Sequence, residues 1–83
     1  MLEQKKQIPL LVPDIGDAEN IELVQWNIQE GEIVEEGMEL CELVTSKATF
    51  PLESPFNGKI IKILKPAGST VKIGEELAII EIS

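Results

Sequence analysis

The strongest constraint in this sequence is an internal repeat. Residues 24–46, VQWNIQEGEIVEEGMELCELVTS, align without a gap on residues 61–83, IKILKPAGSTVKIGEELAIIEIS. Two glycine pairs and two apolar pairs coincide: Gly31 with Gly68, Gly37 with Gly74, Val34 with Val71 and Leu40 with Leu77. Glycine has the backbone freedom that tight turns need, so each half predicts a strand, a turn, a short strand, a turn and a strand. Two such halves predict a domain with pseudo-two-fold symmetry.

The spacing of apolar residues favours strands over helices. Val24, Trp26 and Ile28 alternate with Gln25 and Asn27, which is the period of a strand with one buried face. The chain is also rich in β-branched residues, with twelve isoleucines, five valines and three threonines. The pattern predicts eight short strands, at 8–13, 21–28, 33–35, 39–46, 48–53, 58–65, 70–72 and 76–82. The predicted fold is all-β, with two small antiparallel sheets packed face to face or closed into a flattened barrel.

Length and charge narrow the classes of function. Eighty-three residues make one small domain, which we place at residues 8–83 behind a short polar extension at 1–7. The start MLEQKKQ fits either a natural N-terminus or an excised N-terminal domain. The net charge of −8, with lysine as the only basic residue type, argues against nucleic acid and anionic membranes as partners. It suits partners with basic surfaces.

Cysteine and histidine usage excludes several kinds of site. The sequence has no histidine and one cysteine, Cys41. This excludes a disulfide framework, a Cys/His zinc site and a nucleophile activated by histidine. Cys41 is expected to be a small core residue, and an unpaired cysteine without a signal peptide indicates a reducing intracellular compartment. Any catalysis in which the domain takes part needs chemistry supplied from outside.

Several other residues have predicted structural roles. The three aromatic residues, Trp26, Phe50 and Phe56, are expected to pack in the core or against the hairpin. Gly58, like the other glycines, is expected at a tight turn. Pro51 lies within a predicted strand and therefore predicts an edge strand or a bulge, because proline cannot donate to a sheet.

Lys47 lies between two of the predicted strands. Thr45-Ser46-Lys47-Ala48 is expected to form the reversal between strands 39–46 and 48–53, with the lysine at the tip of a tight hairpin. Ser46 can hydrogen-bond its own backbone in such a turn, and Ala48 is too small to obstruct the ammonium group. On the residues alone, this geometry fits a lysine that another protein must reach, and equally a solvated surface lysine.

Four segments together resemble a known family: VPDIGDAENIEL (12–23), EGEIVEEGMELCEL (30–43), SKATFPLESPFNGKI (46–60) and AGSTVKIGEELAIIE (67–81). In order and spacing they resemble the lipoyl domains of the acyltransferase component of 2-oxo acid dehydrogenase complexes, within the biotinyl/lipoyl attachment family. The resemblance covers the chain from about residue 8 to its end. It implies the barrel-sandwich hybrid fold of that family.

The resemblance also implies a function and a set of partners. Lys47 would carry lipoic acid as an amide, placed there by a lipoate-attaching enzyme. The arm would be acylated at a thiamin-diphosphate 2-oxo acid decarboxylase and would deliver its acyl group to an acyltransferase catalytic domain. An FAD-dependent dihydrolipoyl dehydrogenase would reoxidise it. The implied compartment is the cytoplasm, or the mitochondrial matrix if the protein is eukaryotic and processed.

Partner recognition is where the chain departs from the family. Ser46 stands where the family usually has aspartate, and Val44 and Pro51 stand where it often has acidic residues. The resemblance places the loop before the second strand near the hairpin. The residues expected to contact the decarboxylase are Gly16, Asp17, Ala18, Glu19, Asn20, Ser46 and Ala48.

Four other interpretations remain. A biotin carrier would usually have methionines beside its lysine, and this chain has Ser46 and Ala48. The carrier of the glycine-cleavage system shares the hairpin but is longer. An unmodified docking or structural module would leave Lys47 as a free amine, since one fold can serve different functions. An autonomous enzyme is the least consistent with this composition.

Overall fold

The computed structural model describes residues 5–15 and 20–82, which form eight strands and no helix. The strands are β1 (Lys6–Leu11), β2 (Ile21–Trp26), β3 (Ile33–Val34), β4 (Glu39–Val44), β5 (Thr49–Glu53), β6 (Gly58–Ile63), β7 (Ser69–Val71) and β8 (Glu76–Ile82). All eight predicted strands are confirmed. The largest shift is at β1, which begins at Lys6 and ends at Leu11 instead of covering residues 8–13. Within the described ranges, no helix is long and apolar enough to cross a membrane.

The strands form two four-stranded antiparallel sheets, in the orders β1-β8-β6-β3 and β5-β4-β2-β7. The predicted all-β architecture is therefore confirmed. The two halves of the repeat exchange their shortest strands. Strand β3 of the first half pairs with β6 of the second, and β7 of the second half pairs with β2 of the first. Because each sheet takes strands from both halves, neither half forms a sheet alone.

The glycine turns obey the pseudo-two-fold symmetry in detail. Gly31 and Gly68 have φ angles of +91° and +94°, in the left-handed region that favours glycine. Gly31 N–H donates to the Ile60 carbonyl oxygen at 2.6 Å, and Gly68 N–H donates to the Leu23 carbonyl oxygen at 2.6 Å. The second glycine pair repeats the pattern, with bonds from Gly37 to Ser54 (2.8 Å) and from Gly74 to Val12 (2.9 Å). The duplicated sequence therefore produces duplicated turns.

Gly58 does not serve a turn, and that expectation is wrong. It is the first residue of β6 and pairs with Val34 of β3. A Cβ atom at this position would lie 2.5 Å from the backbone oxygen of Glu81 in β8. Gly58 is therefore needed because two strands approach closely there, not because of its φ angle.

The core consists of two aliphatic clusters related by the repeat. The first contains Leu10, Ile28, Val34, Leu40, Ile60, Ala78 and Ile80, and the second contains Val12, Ile21, Leu23, Cys41, Leu43, Val71 and Leu77. Trp26 packs against both clusters and joins them. Cys41 is fully buried, as expected, and burial, with a smaller effect of the nearby Glu39 carboxylate, raises the pKa of its thiol to about 12.

Of the expectations for Phe50, Phe56 and Pro51, two are confirmed and one is wrong. Phe50 packs against the second cluster as expected, whereas Phe56 is 40% exposed and lies outside the strands, so that expectation is wrong. Pro51 lies on β5, the outer strand of its sheet, which confirms the expected edge position. A second proline, Pro9, lies on β1, the outer strand of the other sheet.

Candidate functional site

Lys47 lies in a four-residue turn that joins β4 to β5. The turn is closed by a backbone hydrogen bond of 2.8 Å, in which Thr45 N–H donates to the Ala48 carbonyl oxygen. The two strands below it are in register, with Val44 opposite Thr49. One pair further down, Leu43 is fully buried and lies opposite Phe50. The core therefore anchors both arms of the hairpin that presents the lysine.

The side chain that organises this turn is Thr45. Its Oγ1 accepts hydrogen bonds from the backbone N–H groups of Lys47 (3.2 Å) and Ala48 (3.1 Å), and it donates to the Ala48 carbonyl oxygen at 3.2 Å. This is the local pattern by which a hydroxyl at the start of a turn fixes the backbone. The expectation that Ser46 fixes the turn is wrong, because the hydroxyl that accepts from the N–H groups of Lys47 and Ala48 belongs to Thr45.

The Lys47 side chain is exposed at the tip, as predicted, together with Ser46 and Ala48. The two ion pairs formed within the described residues, Lys5–Glu81 and Lys65–Glu75, do not involve Lys47. The described residues also include no group of histidine, cysteine and carboxylate side chains that could hold a metal ion. What this hairpin offers chemically is a single accessible primary amine at a fixed place.

A depression of about 370 Å³ lies at the base of the hairpin, and we call it the hairpin recess. Three strands or their ends contribute its lining, which consists of Asn20, Ile21, Glu22, Val44, Thr45, Ser46 and Thr70. The recess brings Asn20, the last residue of the predicted recognition loop, together with Ser46 of the hairpin. The rest of that predicted loop, Gly16, Asp17, Ala18 and Glu19, lies outside the described residues.

The three residues that depart from the family pattern, Val44, Ser46 and Pro51, lie in two places on the domain. Val44 and Ser46 both line the hairpin recess. Pro51 is exposed on the outer strand β5, opposite Glu42. At the positions of Val44 and Ser46 the family that the sequence resembles often has acidic residues. In this chain, both positions belong to one surface beside Lys47 and carry uncharged side chains.

Residues 8–80 match the model of a protein family described as "Biotin-requiring enzyme", the biotin/lipoyl family. This match covers most of the chain, including the complete hairpin. The chain belongs to the biotinyl/lipoyl attachment family. The matched range begins within β1 and ends within β8, and it includes the first half of the repeat and most of the second.

The curated relatives of this biotinyl/lipoyl domain include acyltransferase components. It is 38% identical over 72 residues to the lipoamide acyltransferase component of the branched-chain alpha-keto acid dehydrogenase complex of Pseudomonas aeruginosa, covering 86% of the chain and 17% of that protein. It is 41% identical over 70 residues to the mitochondrial counterpart of Arabidopsis thaliana, covering 84% of the chain and 14% of that protein. The chain is thus a lipoyl-type domain that spans about a sixth of such proteins.

Solved structures support the fold. The lipoyl domain of the 2-oxoglutarate dehydrogenase complex from Azotobacter vinelandii superposes with a TM-score of 0.73 at 24% identity, over 88% of this chain and 94% of that one. A single-chain, multi-domain long-chain acyl-CoA carboxylase matches with a TM-score of 0.71 at 18% identity, over 96% of this chain and 7% of that one. At these identities, the two matches establish the barrel-sandwich fold only.

Two features of the site were missed in the sequence. The role of the Thr45 hydroxyl could have been predicted, because a serine or threonine at the first position of a tight turn commonly accepts hydrogen bonds from the backbone N–H groups two and three residues later. The hairpin recess could not have been found, because its lining combines residues near 20, 44 and 70. Those segments come together only through the pairing of β2 with β4 and β7.

Proposed function

We propose that this domain carries lipoic acid as an amide on Lys47 and shuttles acyl groups and reducing equivalents between the components of a 2-oxo acid dehydrogenase complex. The observation that carries the proposal is the exposed Lys47 amine at the tip of a turn fixed by Thr45. Family membership and the curated acyltransferase relatives support it. The whole-complex role is inferred from those relatives, of which the chain spans 14–17%.

The residues around Lys47 fit a covalently attached acid. An amide bond requires an unhindered primary amine, and the flanking Ser46 and Ala48 are small and exposed. The unprotonated Nζ of Lys47 attacks the activated carboxyl carbon that an attaching enzyme delivers, expels the activating group and loses one proton. The domain contributes the position of the nucleophile, and the attaching enzyme contributes activation and acid–base chemistry.

Lipoic acid, when bound, supplies a disulfide ring that can be reduced and acylated. The domain itself contributes no catalytic residue to that chemistry. Its two clusters and the hairpin pairing hold the attachment point rigid, while the surface around Lys47 stays open to partners. Attachment to a common assembly raises the local concentration of the arm at each enzyme to about millimolar for a short flexible tether.

The proposed partners follow from this role. They are the lipoate-attaching enzyme, a thiamin-diphosphate 2-oxo acid decarboxylase, an acyltransferase catalytic domain and an FAD-dependent dihydrolipoyl dehydrogenase. A net charge of −8 favours encounter with enzymes that present basic surfaces. Asn20 and Ser46, which lie together at the hairpin recess, are the described members of the proposed decarboxylase contact, with Ala48 beside them on the turn.

Intact-mass spectrometry with peptide mapping tests the proposal on protein made in cells supplied with both lipoate and biotin. We expect an increment equal to one lipoyl group, located on Lys47. The variant Lys47→Arg keeps the charge and should lose the increment completely. The matched control Lys59→Arg removes another exposed lysine, on β6, and should retain it.

The other outcomes separate the alternatives. A biotinyl increment on Lys47 would assign the domain to the carboxylase branch of the family. No increment on folded protein, with a control lipoyl domain modified in the same cells, would contradict the carrier role and favour a docking module. An increment on any other lysine would contradict the assignment of Lys47.

A further inference from the structure

Glu22 lies at the centre of the hairpin recess. On its sheet it is opposite Val44 of β4 on one side and opposite Thr70 of β7 on the other. Because cross-strand partners point to the same face of a sheet, the exposed Glu22 carboxylate lies between these two side chains. The other lining residues are Asn20, Ile21, Thr45 and Ser46, of which all but the buried Ile21 are polar. The recess is therefore a polar surface with a single negative charge.

No positive charge compensates Glu22 within the part of the chain that the structure describes. The ion pairs formed there use the carboxylates of Glu75 and Glu81, and no described residue forms a hydrogen bond with the Glu22 carboxylate. The four strands of this sheet, β5, β4, β2 and β7, contain no lysine or arginine. The negative charge is therefore available to a cation that comes from another molecule.

The symmetry-related position in the other sheet is compensated. The repeat relates Glu22 to Lys59, which lies opposite Glu81 on the neighbouring strand. Both line a second depression, of about 500 Å³, where an ion pair of 3.9 Å also joins Glu81 to Lys5. Opposite charges on adjacent strands attract each other and reduce the charge that a partner meets. In the hairpin recess, Val44 occupies the place of Glu81, so the central charge there has no such neighbour.

The enzyme that forms the amide on Lys47 has to approach this recess closely. Its active site must come within bonding distance of Nζ, and an unmodified lysine side chain is short compared with the lipoylated arm. Ser46, which lines the recess, directly precedes Lys47 in the chain. Enzymes that act on the finished arm meet a longer group, which reaches them from further away. Among the proposed partners, the attaching enzyme is therefore the one whose surface must lie against the hairpin and the recess.

We propose that the hairpin recess is the docking site for a basic side chain of the lipoate-attaching enzyme, and that Glu22 binds this side chain. This inference rests on the proposed function. The oxygens of Asn20, Ser46 and Thr70 in the lining can accept further N–H groups of the same cation. Because Glu22 lies directly opposite Val44, it supplies a negative charge one strand away from a position where the family often has one. Glu22 is a recognition residue and takes no part in amide formation.

The test is the kinetics of lipoylation in vitro. Unmodified domain is incubated with lipoate, ATP and the purified lipoate ligase of the cells in which the domain becomes lipoylated, and the rate is followed by intact mass. Glu22→Gln should lower kcat/KM about tenfold through a higher KM, with kcat unchanged, because the lost bond contributes to binding and not to the chemical step. Added salt should lower kcat/KM of the native domain more than that of the variant, since it screens the native charge pair.

Two further variants separate a charge at this place from other effects. The matched control Glu53→Gln removes an exposed carboxylate from the same sheet, at the end of β5 away from Lys47, and should leave the kinetics unchanged. The double variant Glu22→Gln/Val44→Glu moves the carboxylate to the facing strand of the recess and should recover most of the lost kcat/KM. The urea midpoint of Glu22→Gln should equal that of the native domain, because Glu22 is exposed.

The outcomes distinguish this inference from the function on which it rests. Lipoylation of Lys47 with equal kcat/KM in the native domain and Glu22→Gln overturns the docking site and leaves the carrier function standing. An equal loss in Glu53→Gln overturns it as well, because only the net charge would then matter. A loss confined to kcat, or no recovery in the double variant, also overturns it, because a displaced lysine would explain either result. Absence of the lipoyl increment on Lys47 of the native domain overturns both.

Discussion

The indole Nε1 of Trp26 donates a hydrogen bond of 2.7 Å to the backbone carbonyl oxygen of Lys65. Trp26 ends β2 in the first half of the repeat, and Lys65 lies just beyond β6 in the second. The same indole packs against both core clusters. This one side chain therefore connects the two halves by apolar contact and by a polar bond, a combination that tryptophan can supply and the equivalent Ile63 cannot.

Replacing this tryptophan should destabilise the domain. Trp26→Phe keeps an aromatic ring but loses the bond to Lys65 and leaves space between the clusters, so we expect a loss of about 1–3 kcal/mol in the free energy of unfolding. Urea denaturation followed by circular dichroism measures it. Phe56→Leu, at an exposed position, is the control and should change stability by less than about 0.5 kcal/mol. An unchanged midpoint for Trp26→Phe would show that the bond contributes nothing.

The Thr45 hydroxyl should control the order of the hairpin tip. Thr45→Val has a similar shape but removes the acceptor used by the N–H groups of Lys47 and Ala48. We expect hydrogen exchange of these two amides to accelerate by about five- to tenfold, which corresponds to about 1 kcal/mol for the lost bonds. Ser46→Ala is the matched control and should leave both rates unchanged. Equal acceleration in the two variants would contradict the role of Thr45.

The ion pair between Lys65 and Glu75 should make stability depend on acid pH. The Lys65 side chain, 2.7 Å away, and then the Lys72 backbone N–H, 2.9 Å away, lower the pKa of Glu75 below its usual 4.5. A depressed carboxyl pKa in the folded state gives stability that is present above pH 4.5 and is lost as pH falls through the folded value.

Urea midpoints measured from about pH 6 down to about pH 3 test this sign. The native domain should lose stability more steeply below pH 4.5 than Glu75→Gln, because the variant has no carboxylate to protonate at that position. Glu76→Gln removes a neighbouring exposed carboxylate that takes part in neither ion pair, and it should keep the native slope. Parallel curves for Glu75→Gln and the native domain would contradict the assignment.

The two prolines on the outer strands should prevent edge-to-edge association. Pro9 lies opposite Ile79 on β1, and Pro51 lies opposite Glu42 on β5. Glu42 and Ile79 are equivalent positions of the repeat, so each sheet has a proline at the same place on its outer edge. Proline lacks the N–H that a second strand would need for pairing.

Restoring those N–H groups should therefore cause self-association. The double variant Pro9→Thr/Pro51→Thr is expected to sediment as dimers or larger species in a concentration-dependent manner, while the native domain stays monomeric. Pro55→Thr, outside the strands, is the control and should sediment like the native domain. A monomeric double variant at the highest soluble concentration would rule out a protective role for the prolines.

Most of the fold could be predicted from sequence patterns that involve only neighbouring residues. Alternation around Val24 and Trp26 identified strands, and the aligned glycines identified turns, because both depend on residues close together in the chain. Gly58 and Phe56 were assigned wrongly for the same reason. The role of Gly58 is set by the backbone of Glu81, 23 residues away, and nothing next to Phe56 in sequence reveals that it faces solvent.

By itself the sequence determined eight strands, a duplicated architecture and a lysine at the tip of one hairpin. The tertiary structure alone decided that β3 and β7 exchange between sheets, that Trp26 reaches Lys65, and that segments near residues 20, 44 and 70 enclose a recess beside Lys47. The reason is physical. Strand formation and turns follow from local backbone preferences, whereas the neighbours of each strand are set by burying both clusters at once, which requires contacts between residues tens of positions apart.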